Sequence, residues 1–171
     1  DMQEVDFFAE SLEKFETTAG LFYLADDLGK NEIVSFHTSV QNPDKFVNVK
    51  NPETKDVVII PLDHNLKVFK ENGRDQESLC DYLLRVNDRE MLIFGEIKTG
   101  KSGWAKAGAD QISNTLRIFR SCHNLSDWSK TIAYVSNRRF WKARTSHRNT
   151  ISEFWVQNRI PLRIQNEVVV E

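Results

Sequence analysis

Residues 91–101, MLIFGEIKTGK, constrain this chain more than any other stretch. Four apolar residues lead into Gly95, Glu96, Ile97 and Lys98, and Thr99-Gly100 then supplies a turn signal. An apolar run with such a boundary reads as a buried strand. Side chains alternate along a strand, so Glu96 and Lys98 share one face and Ile97 takes the other. Desolvating a carboxylate and an ammonium near the end of a buried strand costs free energy that something must offset. A metal-bound phosphate is one group that would do so.

Upstream, residues 80–86 (CDYLLRV) read as a second strand, and Asn87-Asp88 is a hairpin turn signal. Folding the two strands back antiparallel brings Asp81 close to Glu96. Two carboxylates and one lysine then lie on neighbouring strands. Oxygen ligands with open positions suit Mg²⁺, which keeps several waters and binds phosphate oxygens. A water on such a metal is acidified, and a nearby lysine can orient it or stabilise charge on the phosphate.

Asp81 followed by Glu96-Ile97-Lys98 resembles the bipartite D…(D/E)xK signature of the PD-(D/E)XK nuclease superfamily. The resemblance spans residues 78–134 and includes the order strand, turn, strand, helix, strand. Residues 104–120 read as the helix, and Gln111 falls where RecB-like and Cas4-like members carry a glutamine. Residues 131–135 stand as the next strand. Two positions depart from the pattern: Cys80 replaces the proline before the aspartate, and Thr115 replaces a tyrosine after the glutamine. The resemblance implies an α/β fold with a restriction-endonuclease-like core, a central mixed sheet with helices on both sides. It implies an Mg²⁺-dependent endonuclease (Mn²⁺ as a substitute) cutting phosphodiester bonds in DNA ahead of RNA, as in restriction or phage defence. Asp81 and Glu96 would hold the metal, with the carbonyl of Ile97 as a third ligand. Lys98 and Gln111 would position the attacking water. A carboxylate from the first helix often joins such sites, and Glu16 is the best-placed candidate, with Glu77 second.

A rival motif overlaps the same residues. Gly95 to Ser102 fits G-x-x-x-x-G-K-[ST], the phosphate-cradling P-loop, in which Lys101 and Ser102 would carry the function. Against it, only 69 residues follow Ser102, short for a doubly wound sheet. The next strand ends in Ser136-Asn137 and supplies no acid for the metal. A third reading is a non-catalytic nucleic-acid-binding module that keeps the nuclease shape.

The charge is asymmetric along the chain. Residues 1–97 hold 10 Lys+Arg against 20 Asp+Glu, and residues 98–171 hold 13 against 5. This points to a basic face that attracts a polyanion. Lys101, Lys106, Arg138, Arg139, Lys142 and Arg144 are the candidate phosphate contacts, interleaved with Phe140 and Trp141 as stacking surfaces. The 171 residues suit one nuclease-like domain, 1–171, or a fragment of a longer chain, as the initial Asp suggests. A homodimer or a fused partner subunit is compatible with that. No stretch has the length of a membrane span, no signal peptide is visible, and two cysteines, Cys80 and Cys122, suit a reducing cytoplasmic setting.

For the remainder, helical spacing of Val5, Phe8, Leu12 and Phe15 predicts a helix over residues 3–17. Residues 21–28 read as a short helix end, and 32–40 as a strand. Residues 41–54 read as loop with a short strand at 46–49. Residues 56–62 read as an edge strand or strand end because of Pro61. Residues 66–70 read as a strand that could pair with 80–86. Gly108, Ile112, Leu116 and Phe119 form the stripe of the central helix. Residues 151–158 read as a helix and 162–170 as a last strand.

Overall fold

The computed structural model describes residues 4–26, 32–140 and 146–171. Its centre is the hairpin of β6 (Tyr82–Val86) and β7 (Met91–Lys98), paired antiparallel with Tyr82 opposite Gly95 and Val86 opposite Met91. The turn holds Asn87 and Asp88 at φ 44° and 61°, in the left-handed region that Asn and Asp tolerate best after glycine. Every residue of β7 except Lys98 is buried. A strand buried on both faces sits between layers, which explains its continuous apolar run.

From β7 the chain makes two crossovers. Helix α1 (Trp104–Cys122) leads to β8 (Lys130–Asn137), and α2 (Arg148–Asn158) leads to β9 (Leu162–Ile164). Strands β7, β8 and β9 are parallel. Strands β5 (Val57–Pro61) and β1 (Phe15–Thr17) add antiparallel on the other side of β6, completing a six-stranded sheet ordered β1-β5-β6-β7-β8-β9. The expected stripe of α1 is buried, and Gly108 is required there: a Cβ would lie 2.6 Å from a Val135 methyl.

The other face is covered by a second sheet rather than by helices. It is built from β2 (Leu21–Ala25), β3 (Ser35–His37), β4 (Val47–Lys50) and β10 (Glu167–Val169), ordered β10-β4-β2-β3. Phe22, Leu24, Val47, Val49 and Val168 meet Tyr82, Leu84, Ile93, Ile132 and Tyr134 there. The expectation of helices on both sides is therefore corrected. An apolar face must be covered, but its pattern does not say by what. The described residues thus form a mixed α/β fold with two mixed sheets and two helices. None of the described helices is long and apolar enough to cross a membrane.

Other expectations change as well. The helix expected over residues 3–17 is absent from the described residues 4–17. The described part makes turns before β1, and fully buried Phe7 lies off the apolar stripe, edge-on to Phe119 at 5.0 Å. Residues 21–25 are a strand, not a helix end. Residues 66–70 form no named strand and make only a Phe69–Gln76 bridge. Strand β5 is internal. Pro61 is tolerated because β1 pairs only with Val57 to Ile59, leaving Pro61 past its end. The C-terminal strand splits into β9 and β10, one for each sheet.

Candidate active site

Asp81 stands just before β6, and the Tyr82–Gly95 pairing sets it across from Glu96. The register puts Asp81, Leu83 and Arg85 on the same face as Leu92, Phe94, Glu96 and Lys98, the face that α1 covers. The site forms where that face stops being apolar, at the C-terminal end of β7. Asp81 is 8% exposed and Glu96 5%. The Ile97 N–H donates to Asp81 Oδ2 at 2.6 Å. The N–H and C=O of one strand residue lie on the same edge, so Ile97 presents its carbonyl on the Asp81 side. Lys98 Nζ lies 3.4 Å from Glu96 Oε2, and the lysine side chain is 30% exposed.

The electrostatics follow from that burial. Desolvation, and then the charge of Glu96, push the Asp81 carboxyl well above the usual carboxylate range. Desolvation also raises Glu96, against the lowering effects of its hydrogen bond with Asp81 and of the Lys98 ammonium. The physical picture is an acid pair whose protonated form is favoured by burial, because one lysine does not neutralise two buried carboxylates. Such a pair supplies hard oxygen donors, the set that suits Mg²⁺ or Mn²⁺. Among the described residues, no group of three or more His, Cys, Asp and Glu side chains is arranged to hold a metal ion. A divalent ion here would take Asp81, Glu96, the Ile97 carbonyl and solvent.

Gln111 binds elsewhere than expected. Its amide nitrogen donates to the Leu79 carbonyl at 2.9 Å and to the Ser78 hydroxyl. Four residues on, Thr115 Oγ1 accepts the Cys80 N–H at 2.7 Å and donates to the Gln111 carbonyl at 3.0 Å. Together they clamp the segment entering β6 to α1 and so fix where Asp81 begins. Glu77 is taken up by Arg117 at 3.1 Å and by Asn114. Glu16 is not beside the acid pair. It pairs with Val58, itself opposite Arg85, and Arg85 and Asp81 are separated by about 13 Å of strand. The strand that replaces the expected helix carries Glu16 to the far end of the sheet.

The basic candidates divide. Arg138 is a bracket between layers. Its Nε donates to the Lys45 carbonyl at 2.6 Å, its Nη1 reaches the Asp26 carbonyl and carboxylate, and its backbone N–H donates to the Lys98 carbonyl at 2.9 Å. Its guanidinium, expected as a phosphate contact, is engaged within the fold. Lys106 pairs with Asp110 at 3.2 Å on the surface of α1. Lys101 is exposed in the β7–α1 loop. Arg139 is exposed and lies 5.8 Å from the Phe140 ring centre. Lys142, Arg144 and Trp141 lie outside the described residues.

Two groups that sequence reasoning missed stand beside the site. Asp26, at the end of β2, is raised by burial and drawn down by Arg138 and, more weakly, by Lys98, while its charge helps raise Asp81. An acid directly after an apolar strand was its only signal. Buried Asn137 donates to the Gly100 carbonyl at 2.9 Å, which fixes the β7–α1 loop. The P-loop reading loses its loop: Gly95 to Lys98 lie within β7, paired on both sides or with β8, and α1 starts only at Trp104. No family model, curated protein or solved structure matches the chain, so the site is interpreted from its own geometry.

Proposed function

We propose that this chain is a metal-dependent nuclease with a restriction-endonuclease-like, PD-(D/E)XK core, hydrolysing phosphodiester bonds in DNA ahead of RNA. The observation that carries the reading is the buried Asp81–Glu96 pair with Lys98 3.4 Å from Glu96, all on one face of a hairpin that feeds a helix and a parallel strand. Buried acids in excess over their cation are costly to a fold. They are expected at a site that takes up a divalent ion and an anionic substrate.

Mg²⁺ or Mn²⁺, when bound, supplies Lewis acidity and an acidified water. Asp81 and Glu96 would hold it, and the Ile97 N–H fixes the Asp81 carboxylate in place. Lys98, partly exposed, reaches from Glu96 towards the substrate and stabilises charge developing on the phosphate. Gln111 and Thr115 act through the backbone that carries Asp81. Cys80 and Cys122 are free thiols, as a reducing, cytoplasmic setting requires.

The test is cleavage of single- and double-stranded DNA and RNA with Mg²⁺, Mn²⁺ or chelator. Lys98→Ala is expected to lower the rate at least 100-fold while the circular dichroism spectrum remains that of the folded parent. Equal cleavage by parent, Lys98→Ala and Asp81→Asn would remove the assignment.

A further inference from the structure

Helix α2 is held to α1 by a narrow stripe. Phe154 and Asn158 are buried, Asn158 Nδ2 donates to Ser113 Oγ at 2.9 Å, and Arg120 donates to the Asn158 carbonyl at 2.5 Å. Beside that stripe the helix is exposed yet carries large apolar groups. Trp155 is 45% exposed, Ile151 37% and Val156 67%. Clustered exposed apolar side chains of this size mark a contact surface. Helical spacing aligns Arg148, Ile151, Ser152 and Trp155 on one side, and the exposed Arg159 follows the last helical residue as a left-handed cap at φ 57°. Glu153, the only acid in the helix, lies elsewhere, in a small cleft with Lys106, Asp110 and Gln157. Neither Arg148 nor Arg159 enters an ion pair among the described residues.

We propose that this face of α2 binds a nucleic-acid strand with unpaired bases, Trp155 stacking on a base and Arg148 and Arg159 meeting the flanking phosphates. The choice of ligand rests on the nuclease reading above; the face itself does not. Position supports it. The His147 ring before α2 lies 5.2 Å from the ring of Trp104, the first residue of α1, so α2 starts beside the loop that leaves Lys98. Its 11 residues run about 16 Å from there. A strand seated at the acid pair can continue along it. Charge supports it too. Two arginines, with the helix's acid turned to another side, attract a polyanion. A two-fold contact between copies would bring this face against itself, arginine against arginine with no acid to offset them.

The test is binding of a labelled single-stranded oligonucleotide and of the matching duplex in chelator, where cutting is absent. Trp155→Ala is expected to weaken single-strand binding roughly 5- to 150-fold and leave duplex binding nearly unchanged, while Trp155→Phe keeps most of the affinity. Arg148→Gln with Arg159→Gln should reduce the salt dependence by about two phosphate contacts. Unchanged single-strand binding in all three variants, or no binding by the parent, overturns the proposal. So does a change of oligomeric state in Trp155→Ala with binding intact, which assigns the face to a protein contact. If these losses appear but the parent cuts nothing with Mg²⁺, the binding face stands and the nuclease reading falls. If the parent cuts and the variants bind normally, the reverse holds.

Discussion

Asp81 shows how one residue can work against its own fold. The Ile97 N–H steadies its carboxylate at 2.6 Å, yet burial and Glu96 outweigh that bond and drive its pKa well up. The sign for stability follows. In the unfolded chain these acids release their protons near pH 4. In the folded, metal-free protein they release them later. The folded state therefore binds more protons across that window, and stability declines as pH rises through it. Asp81→Asn removes the like-charge pair and retains an oxygen for Ile97. In chelator it should melt higher than the parent at neutral pH, at about 2–4 °C for each kcal/mol gained, and the gap should close towards pH 4. Mg²⁺ should then raise the parent's midpoint and not the variant's. A variant that melts lower at pH 7 would mean that the Ile97 bond, not the repulsion, dominates. Asp26 belongs to the same balance. Asp26→Asn removes a charge that raises Asp81, so in chelator the parent's loss of stability as pH rises above the ordinary carboxylate range should become shallower; an unchanged slope would separate Asp26 from the pair.

At the scale of elements, the hairpin was legible and its surroundings were not. Residues 91–98, the turn at Asn87-Asp88, α1 and α2 all announce themselves through local patterns that their tertiary packing agrees with. The first 17 residues do not. Val5, Phe8, Leu12 and Phe15 keep helical spacing, but their burial is set by distant partners: Phe8 packs on Trp128 at 5.3 Å, and Phe15 stacks on Phe36 at 5.4 Å. That long-range choice has no local trace, and with it went the placement of Glu16. Asp81, Glu96 and Lys98 were legible because strand alternation fixes their common face. The role of Gln111 was not, because a helix register does not say which groups an amide meets. Gly95 is a further case. A Cβ there would lie 1.9 Å from the ring of Tyr82, which crosses it. Tyr82 is fully buried and its hydroxyl has no hydrogen-bond partner among the described residues. Gly95→Ala should therefore destabilise by about 1–3 kcal/mol or more through overpacking. Gly95→Ala combined with Tyr82→Leu should recover much of that loss in denaturant unfolding, since the leucine vacates the space. No recovery would show that backbone conformation, not the Tyr82 ring, demands the glycine.

Across the whole molecule, the site lies where three layers meet, and Arg138 joins them. The acid pair belongs to the large sheet, Gln111 and Thr115 to the helix layer, and Asp26 to the small sheet. Each layer has its own core to satisfy, so alignment between them needs a tie at the site. Arg138 leaves the end of β8, hydrogen-bonds through its backbone to Lys98, and spends its guanidinium on Lys45 and Asp26 of the opposite layer. A phosphate-binding arginine and a bracketing arginine predict different losses. If Arg138 is a bracket, Arg138→Ala lowers the melting midpoint by several degrees, slows cleavage, and leaves the salt dependence of nucleic-acid binding unchanged, because no released counterion ever depended on it. Arg139→Ala, one residue on and exposed, should do the opposite, keeping the midpoint while reducing the salt slope by about one phosphate contact. Titrating binding against salt for both variants, beside their melting curves, separates the roles. A smaller salt slope with normal stability in Arg138→Ala would return that residue to the substrate and leave the small sheet held by its core alone.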